Sequence, residues 1–211
     1  MKCVIIANGD LEYSEKTAGI IREAGLIVCA DGGIRHLKAL RIFPHAVIGD
    51  FDSALPGDKL YFEEKNIKFV SHPSRKNETD TELCVSWAIL NHATDLTLLG
   101  ATGTRLDHTL ANIYLLKKLA GLGIPARIID KHNTIHIVTG HMELKGRPGE
   151  FLSLLPITEK AAGITLQGLE YPLEDAAMEM GSSLGISNVF KETIACVTVR
   201  EGILMVIQSK D

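Results

Sequence analysis

Six short apolar runs, each divided from the next by a longer stretch of different texture, dominate the first 130 residues and narrow the fold more than any other feature. They are "CVIIAN", "LIVCAD", "HAVIGD", "IKFVSH", "DLTLLG" and "ARIID". Runs of Val, Ile and Leu with little polar alternation are what strands covered on both faces require, and such strands belong to parallel sheets. Between them lie "SEKTAGIIREAG", with Ser14 as N-cap and Gly25 as a stop, the short "IRHLKALR", and amphipathic segments from Thr79 to Leu90 and from Leu106 to Leu119. The expectation is an α/β unit over residues 1–131, with a doubly wound, mostly parallel sheet of about six strands.

From His132 the helical period disappears. "NTIHIVTG", "EFLSLLPI", "AAGITLQGL" and "IACVTVREGILMVIQ" are strand-like runs broken by Gly, Pro and charged turns. Residues 132–211 therefore read as a small all-β unit, a β-sandwich or partial barrel. Its last two strands are expected to form a hairpin at Arg200-Glu201-Gly202.

Composition excludes more than it assigns. With 45% hydrophobic and 23% charged residues among 211, the chain can bury a core without metal or disulfide staples. A net charge of -4, no Lys/Arg block and 5% aromatic residues argue against a nucleic-acid partner. The start "MKCVIIANGD" is too short an apolar run for a signal peptide, and no stretch approaches a membrane span, so a cytoplasmic protein is expected. Cys3, Cys29, Cys84 and Cys196 lack C-x-x-C spacing and read as core thiols, and Trp87, mid-helix, reads as core as well.

Polar residues gather where the apolar runs end. In an open parallel sheet, ligands sit beyond the carboxyl ends of the strands. Those ends carry "NGD", "ADGG", "GDFDS" and "GATGTRLDH", and "SRKNETDTE" precedes the helix at Thr79. One edge thus collects Asp10, Asp31, Asp50, Asp52, Asp80 and Asp107, with Arg75, Lys76 and Arg105 among them. Crowded carboxylates raise one another's pKa unless a counter-charge is present. Hard oxygen donors beside basic residues suit Mg²⁺ bridging phosphates better than Zn²⁺. Taken singly, Asp10, Asp31 or Asp58 reads as a cap or turn residue. Asp50 and Asp52 are different: in an extended segment, residues i and i+2 point to one side and reach one cation.

Glycines supply the second element of the pattern. Gly32-Gly33 and Gly100/Gly103 permit close backbone approach and leave N–H groups to face phosphate oxygens. No Gly is followed by Lys-Ser or Lys-Thr, so the P-loop is absent, and Gly121 and Gly123 read as helix termination.

Taken in order, "CADGG", "GDFDS", "ETDTE", "GATGTRLDHTLANIYLL" and "GISNVF" resemble the thiamine pyrophosphokinase family in its bacterial form. The resemblance implies transfer of the terminal diphosphate of ATP to the hydroxyethyl group of thiamine, with Mg²⁺ as cofactor and AMP as product. It implies a homodimer, with an ATP- and Mg²⁺-binding catalytic unit at 1–131 and a thiamine-binding unit at 132–211. It assigns Asp50, Asp52 and Asp80 to metal and triphosphate, with Arg105 and Asp107 as further catalytic residues. Asp31, Gly32, Gly33, Lys76, Asn77, Thr79, Gly103, Arg105 and His108 would bind the nucleotide. Asp80, Ser187 and Asn188 would reach thiamine.

For His108 and Asn112, helix surface or packing is an equal expectation. One departure stands out: family members often carry Lys-Asp ahead of the Thr-Asp pair, where this chain has Lys76-Asn77. Two alternatives stay open at this point, a diphosphokinase for another heterocyclic alcohol and a nucleotide-binding sensor without turnover.

Overall fold

A computed structural model describes residues 1–52, 54–73 and 77–210. The chain divides into two compact units, Met1–Lys131 and His132–Asp211.

The first unit is built on β1 (Lys2–Ile6), β2 (Leu26–Ala30), β3 (Ala46–Gly49), β4 (Lys68–Ser71), β5 (Asp95–Leu99) and β6 (Ala126–Ile129). All pairings among them are parallel, in the order β6-β5-β1-β2-β3-β4. All five residues of β2 are buried, the condition its unbroken apolar run anticipates. Val4 pairs with Ile27, and Cys29 with both Ile6 and Val47, so these side chains share a face.

On that face pack Ala18 and Ile21 of α1 (Glu15–Arg22), Ile34 and Leu37 of α2 (Ile34–Leu40), and Phe62 of α3 (Pro56–Glu63). The alternate residues Ile5, Val28 and Ile48 are also fully buried. α4 (Asp80–Leu90) lies against β1, β2 and β3, and α5 (Leu106–Gly121) against β6. Each such Leu, Ile or Phe contributes roughly 1.5–3 kcal/mol by leaving water.

Helix ends follow local chemistry. Ser14 Oγ accepts from Thr17 N–H at 3.2 Å, and Thr79 Oγ1 accepts from Glu82 N–H at 3.2 Å. α5 ends at Gly121, with Gly123 at φ 70°. α3 was not expected. It starts on Pro56, a favoured first-turn residue, but buries only Phe62 and so shows almost no apolar period. Asp58 is not its cap; it pairs with Lys38 of α2 at 2.5 Å. Trp87 is half-buried beneath Lys68, not in the core.

The second unit holds β7 (Asn133–Val138), β8 (His141–Lys145), β9 (Phe151–Pro156), β10 (Lys160–Gln167), β11 (Leu173–Glu179), β12 (Asn188–Val189), β13 (Ile194–Thr198) and β14 (Leu204–Ser209). Strands run β12-β9-β14-β7 in one layer and β11-β10-β13-β8 in the other. Their core includes Leu144, Leu154, Leu166, Phe190, Val197 and Val206. β8 and β11 leave little trace in the sequence because their polar faces dilute the apolar signal, and β12 because it is only two residues long.

The expected hairpin does not form. β13 pairs with β8 and β10, whereas β14 pairs with β7 and β9. Arg200-Glu201-Gly202 instead carries the chain from one layer to the other. It is pinned by Ala162 N–H to Glu201 O and by Arg200 N–H to Ala162 O. A turn signal between two apolar runs specifies a reversal, not the layer to which the second run returns.

Candidate active site

Strand order locates the site. The chain leaves β1 toward β2, β3 and β4, then returns to place β5 on the other side of β1. The loops after β1 and β5 therefore diverge in sequence yet run side by side, the switch point where such sheets bind ligands. They continue the pairing of the sheet: Ala7 N–H donates to Leu99 O at 2.8 Å, Gly9 N–H to Gly100 O at 2.7 Å, and Asp10 N–H to Thr102 O at 2.7 Å. This approach demands glycine, because a Cβ on Gly9 would stand 2.1 Å from Thr102 O.

Beside these loops opens a cavity of about 470 Å³, lined among others by Asn8, Asp31, Asp80, Thr102, Arg105 and His108. Gly32, Thr79, Gly103 and Asn112 also line it. Gly33 serves packing instead. A Cβ there would lie 2.7 Å from Ile6 O, so its absence lets α2 settle against β1.

Two residues of α2 brace the β1 loop. Arg35 Nε donates to Asn8 Oδ1 at 3.0 Å, and Arg35 Nη2 donates to Asn8 O at 2.8 Å and Gly9 O at 3.0 Å. His36, 2% exposed, lies with Nε2 2.9 Å from Gly9 O and Nδ1 2.8 Å from the Tyr13 hydroxyl. A carbonyl only accepts, so Nε2 carries the proton and Nδ1 accepts from Tyr13. Burial first, then the Arg35 charge, pushes the His36 pKa down to about 4, which keeps the ring neutral. Arg35 and His36 were missed in the sequence; the only signal was their place in the first turn after "ADGG".

The acidic corner forms at the ends of β2 and β3. Carboxylate oxygens of Asp31, Asp50 and Asp52 lie within 4.8 Å of one another. Asp50 and Asp52 converge through a turn, not through the extended segment expected of them. β3 ends at Gly49, and Phe51 between the two aspartates takes a left-handed φ of 63°. Asp52 N–H then donates to Asp50 Oδ1 at 3.3 Å. The Phe51 ring lies edge-on to Phe69 at 5.3 Å, with Lys59 Nζ 5.0 Å from its centroid, which holds a conformation that costs about 1–2 kcal/mol.

Asp31 joins them from an almost fully buried position, at 2% exposure, instead of serving only as a turn residue. A Cβ on Gly49 would sit 2.8 Å from Asp31 Cβ and 3.4 Å from Asp80 Cγ, so Asp80 approaches the same corner. Within the described residues, the three-carboxylate group contains Asp31 in place of Asp80.

At the β5 end, Arg105 Nη2 donates to Asp107 Oδ2 at 2.6 Å, and both side chains are exposed. That hydrogen bond holds the Asp107 carboxyl down at about 2. Asn112 is buried, with Nδ2 donating to Ala101 O at 2.8 Å, a packing role that fixes the β5 loop. Among the described residues, Asn77 is exposed and does not line the cavity. Arg75 and Lys76 lie outside the described residues.

In the second unit, the buried Asn188 amide is bonded to Tyr171 through Tyr171 N–H to Oδ1 at 3.0 Å and Nδ2 to Tyr171 O at 2.7 Å. Ser187 precedes it at φ 56°, with its N–H bonded to Ser153 Oγ at 3.0 Å. Asn188 thus fixes the backbone that displays Ser187.

Known proteins match this chain along its length. Residues 17–128 match the family model "Thiamin pyrophosphokinase, catalytic domain", and residues 133–204 match "Thiamin pyrophosphokinase, vitamin B1 binding domain". The thiamine pyrophosphokinase of Bacillus subtilis is 31% identical over 209 residues, 98% of each chain. A crystal structure of thiamine pyrophosphokinase from Bacillus subtilis superposes with a TM-score of 0.92 at 29% identity, covering 100% of both chains. One from Geobacillus thermodenitrificans gives 0.87 at 30% identity, covering 100% of this chain and 98% of that one. Two adjacent family models, a full-length relative and a shared fold lead to one conclusion: the chain belongs to the thiamine pyrophosphokinase family.

Proposed function

We propose that the cavity beyond β1, β2 and β5 is where the terminal diphosphate of ATP is moved onto the hydroxyethyl group of thiamine, with AMP released. The chain is an enzyme that makes thiamine diphosphate from thiamine; the nucleotide, the metal and the residue roles are the proposal. The observation that carries it is the meeting of Asp31, Asp50 and Asp52 within 4.8 Å at the corner that Asp31 and Asp80 share with the cavity.

The donor set fits Mg²⁺, since every ligand is a carboxylate oxygen and no thiolate or imidazole belongs to the group. Asp31, Asp50 and Asp52 would hold the ion, with Asp80 beside them. When bound, it would neutralise charge on the triphosphate oxygens.

Most of the remaining work is positioning. Backbone N–H groups around Gly32 and Gly103 face the phosphates, and Arg105, once it exchanges Asp107 for a phosphate, adds a charge-assisted contact. The thiamine hydroxyl attacks the β-phosphorus in line; its new O–P bond forms as the bond to the α-phosphate oxygen breaks. The hydroxyl proton passes to Asp80 at the cavity wall. Asp107 is the poorer-placed acceptor, because it is exposed at the start of α5 and, unlike Asp80, is not among the residues that line the cavity.

Thiamine is held with help from the second unit, where Ser187 is the side chain that Asn188 presents. The homodimer and the cytoplasmic location belong to the same reading. No helix among the described residues is long and apolar enough to cross a membrane.

The deciding experiment incubates wild type and Asp50→Asn with ATP, Mg²⁺ and thiamine and follows AMP and thiamine diphosphate. Wild type should give the two in equal amounts. Asp50→Asn should lose at least ~100-fold in rate, the scale of deleting a transition-state electrostatic contact, while keeping its circular dichroism. Near-normal turnover in Asp50→Asn removes the metal role, and AMP formed only with another acceptor removes thiamine.

A further inference from the structure

The fourth cysteine does not behave as a core thiol. Cys3, Cys29 and Cys84 are buried, but Cys196 is half-buried. Ala195 and Val197 of β13, and Val199 just after it, fill the sandwich core, so Cys196 and Thr198 point to the opposite, outer face. β8 is patterned the same way. Leu144 is in the core and Met142 packs on it, which leaves His141 and Glu143 on the outer face.

The antiparallel register sets Glu143 directly opposite Cys196 and His141 opposite Thr198. One ligand atom each from His141, Glu143 and Cys196 consequently lies within 4.8 Å of the others. Thr198 Oγ1 sits 2.9 Å from His141 Nδ1 and orients the ring.

We infer that His141, Glu143 and Cys196 form a second metal site, for a divalent transition ion of borderline softness such as Zn²⁺. The donors are one imidazole nitrogen, one carboxylate oxygen and one thiolate, a mixture that Zn²⁺ accepts and that Mg²⁺ and Ca²⁺ disfavour. Zinc bonds of about 2.0–2.3 Å put neighbouring ligand atoms roughly 3.3–3.8 Å apart, so the observed spread closes by side-chain rotation alone.

Three protein ligands leave a fourth position for water or an incoming group. Thr198 supplies the outer hydrogen bond that metal-bound histidines normally have. The two strands also hold the ligands on paired backbone, a stiffer platform than a loop. This site is independent of the acidic corner, which shares no residue with it.

The test uses the full-length, untagged protein, Co²⁺ as a spectroscopic probe and Zn²⁺ as its competitor. Wild type should develop a thiolate-to-cobalt charge-transfer band that saturates at one equivalent and is displaced by Zn²⁺. Asp50→Asn should keep the band, Cys196→Ser should abolish it, and Glu143→Gln should weaken binding at least tenfold. Thr198→Val should weaken it about 10-fold or more, as for loss of other outer partners. Zn²⁺ should also raise the melting temperature of wild type and not that of Cys196→Ser. A band that survives in Cys196→Ser, disappears in Asp50→Asn, or never forms in wild type overturns the site.

Discussion

Arg35 reaches back from the first turn of α2 to hold Asn8 by both its side chain and its carbonyl, at 3.0 and 2.8 Å. With a third bond to Gly9 O, one guanidinium fixes the loop after β1 that walls the cavity. Lysine has three donors too, but all on one nitrogen, without the planar fork that reaches side chain and backbone together. Both Arg35→Lys and Arg35→Ala should therefore raise the KM for ATP about tenfold or more. Steady-state kinetics and a thermal melt together check this: a fall in stability without a change in KM would mean that Arg35 only packs.

Gly9 lies where two backbones meet, and Thr102 O occupies the position its Cβ would take. Gly9→Ala should cost at least about 2 kcal/mol, in the upper range for overpacking, and should open the β1–β5 loop pairing. Urea denaturation measures the cost. Unchanged stability would show that the loops part freely.

His36 makes stability depend on pH with a definite sign. Its folded pKa of about 4 lies below the ordinary value of 6.5, so the unfolded chain binds the proton first as pH falls. The contribution is complete above about pH 6.5 and is lost progressively down to about pH 4, for a total on the order of 3 kcal/mol. Comparing urea midpoints of wild type and His36→Gln at about pH 7.5, above that interval, and at about pH 4.5, near its lower end, isolates it. Equal losses in the two proteins would contradict the buried neutral ring.

Phe51 holds a left-handed turn between Asp50 and Asp52. Asn tolerates that conformation and a β-branched residue does not. Phe51→Val should destabilise by about 1–3 kcal/mol and weaken the Mg²⁺ dependence of turnover more than Phe51→Asn does. Mg²⁺ titration followed by tryptophan fluorescence, alongside urea melts, gives readouts apart from turnover. If the two variants behave alike, the turn geometry is not what brings the aspartates together.

Much of the architecture was legible in the chain because burial leaves a local mark. A strand covered on both faces must be apolar throughout, as "LIVCA" is, and a helix on a sheet must carry its apolar residues on one side, as "EKTAGIIR" does. Ser14 announced its helix by capping chemistry that needs no distant partner. α3 was silent because it buries one side chain, and β8 and β11 because most of their residues face water.

What the sequence determined by itself, then, was the sheet-and-helix unit, the β unit after it, and the gathering of aspartates at strand ends, all consequences of neighbouring residues. Only the tertiary structure decided that Asp31 stands with Asp50 and Asp52, that Arg35 braces Asn8, and that Cys196 faces outward opposite Glu143. It also sent β13 and β14 to different layers. These relationships join residues far apart in the chain through strand order and register, and no local pattern encodes which strand a neighbour will be.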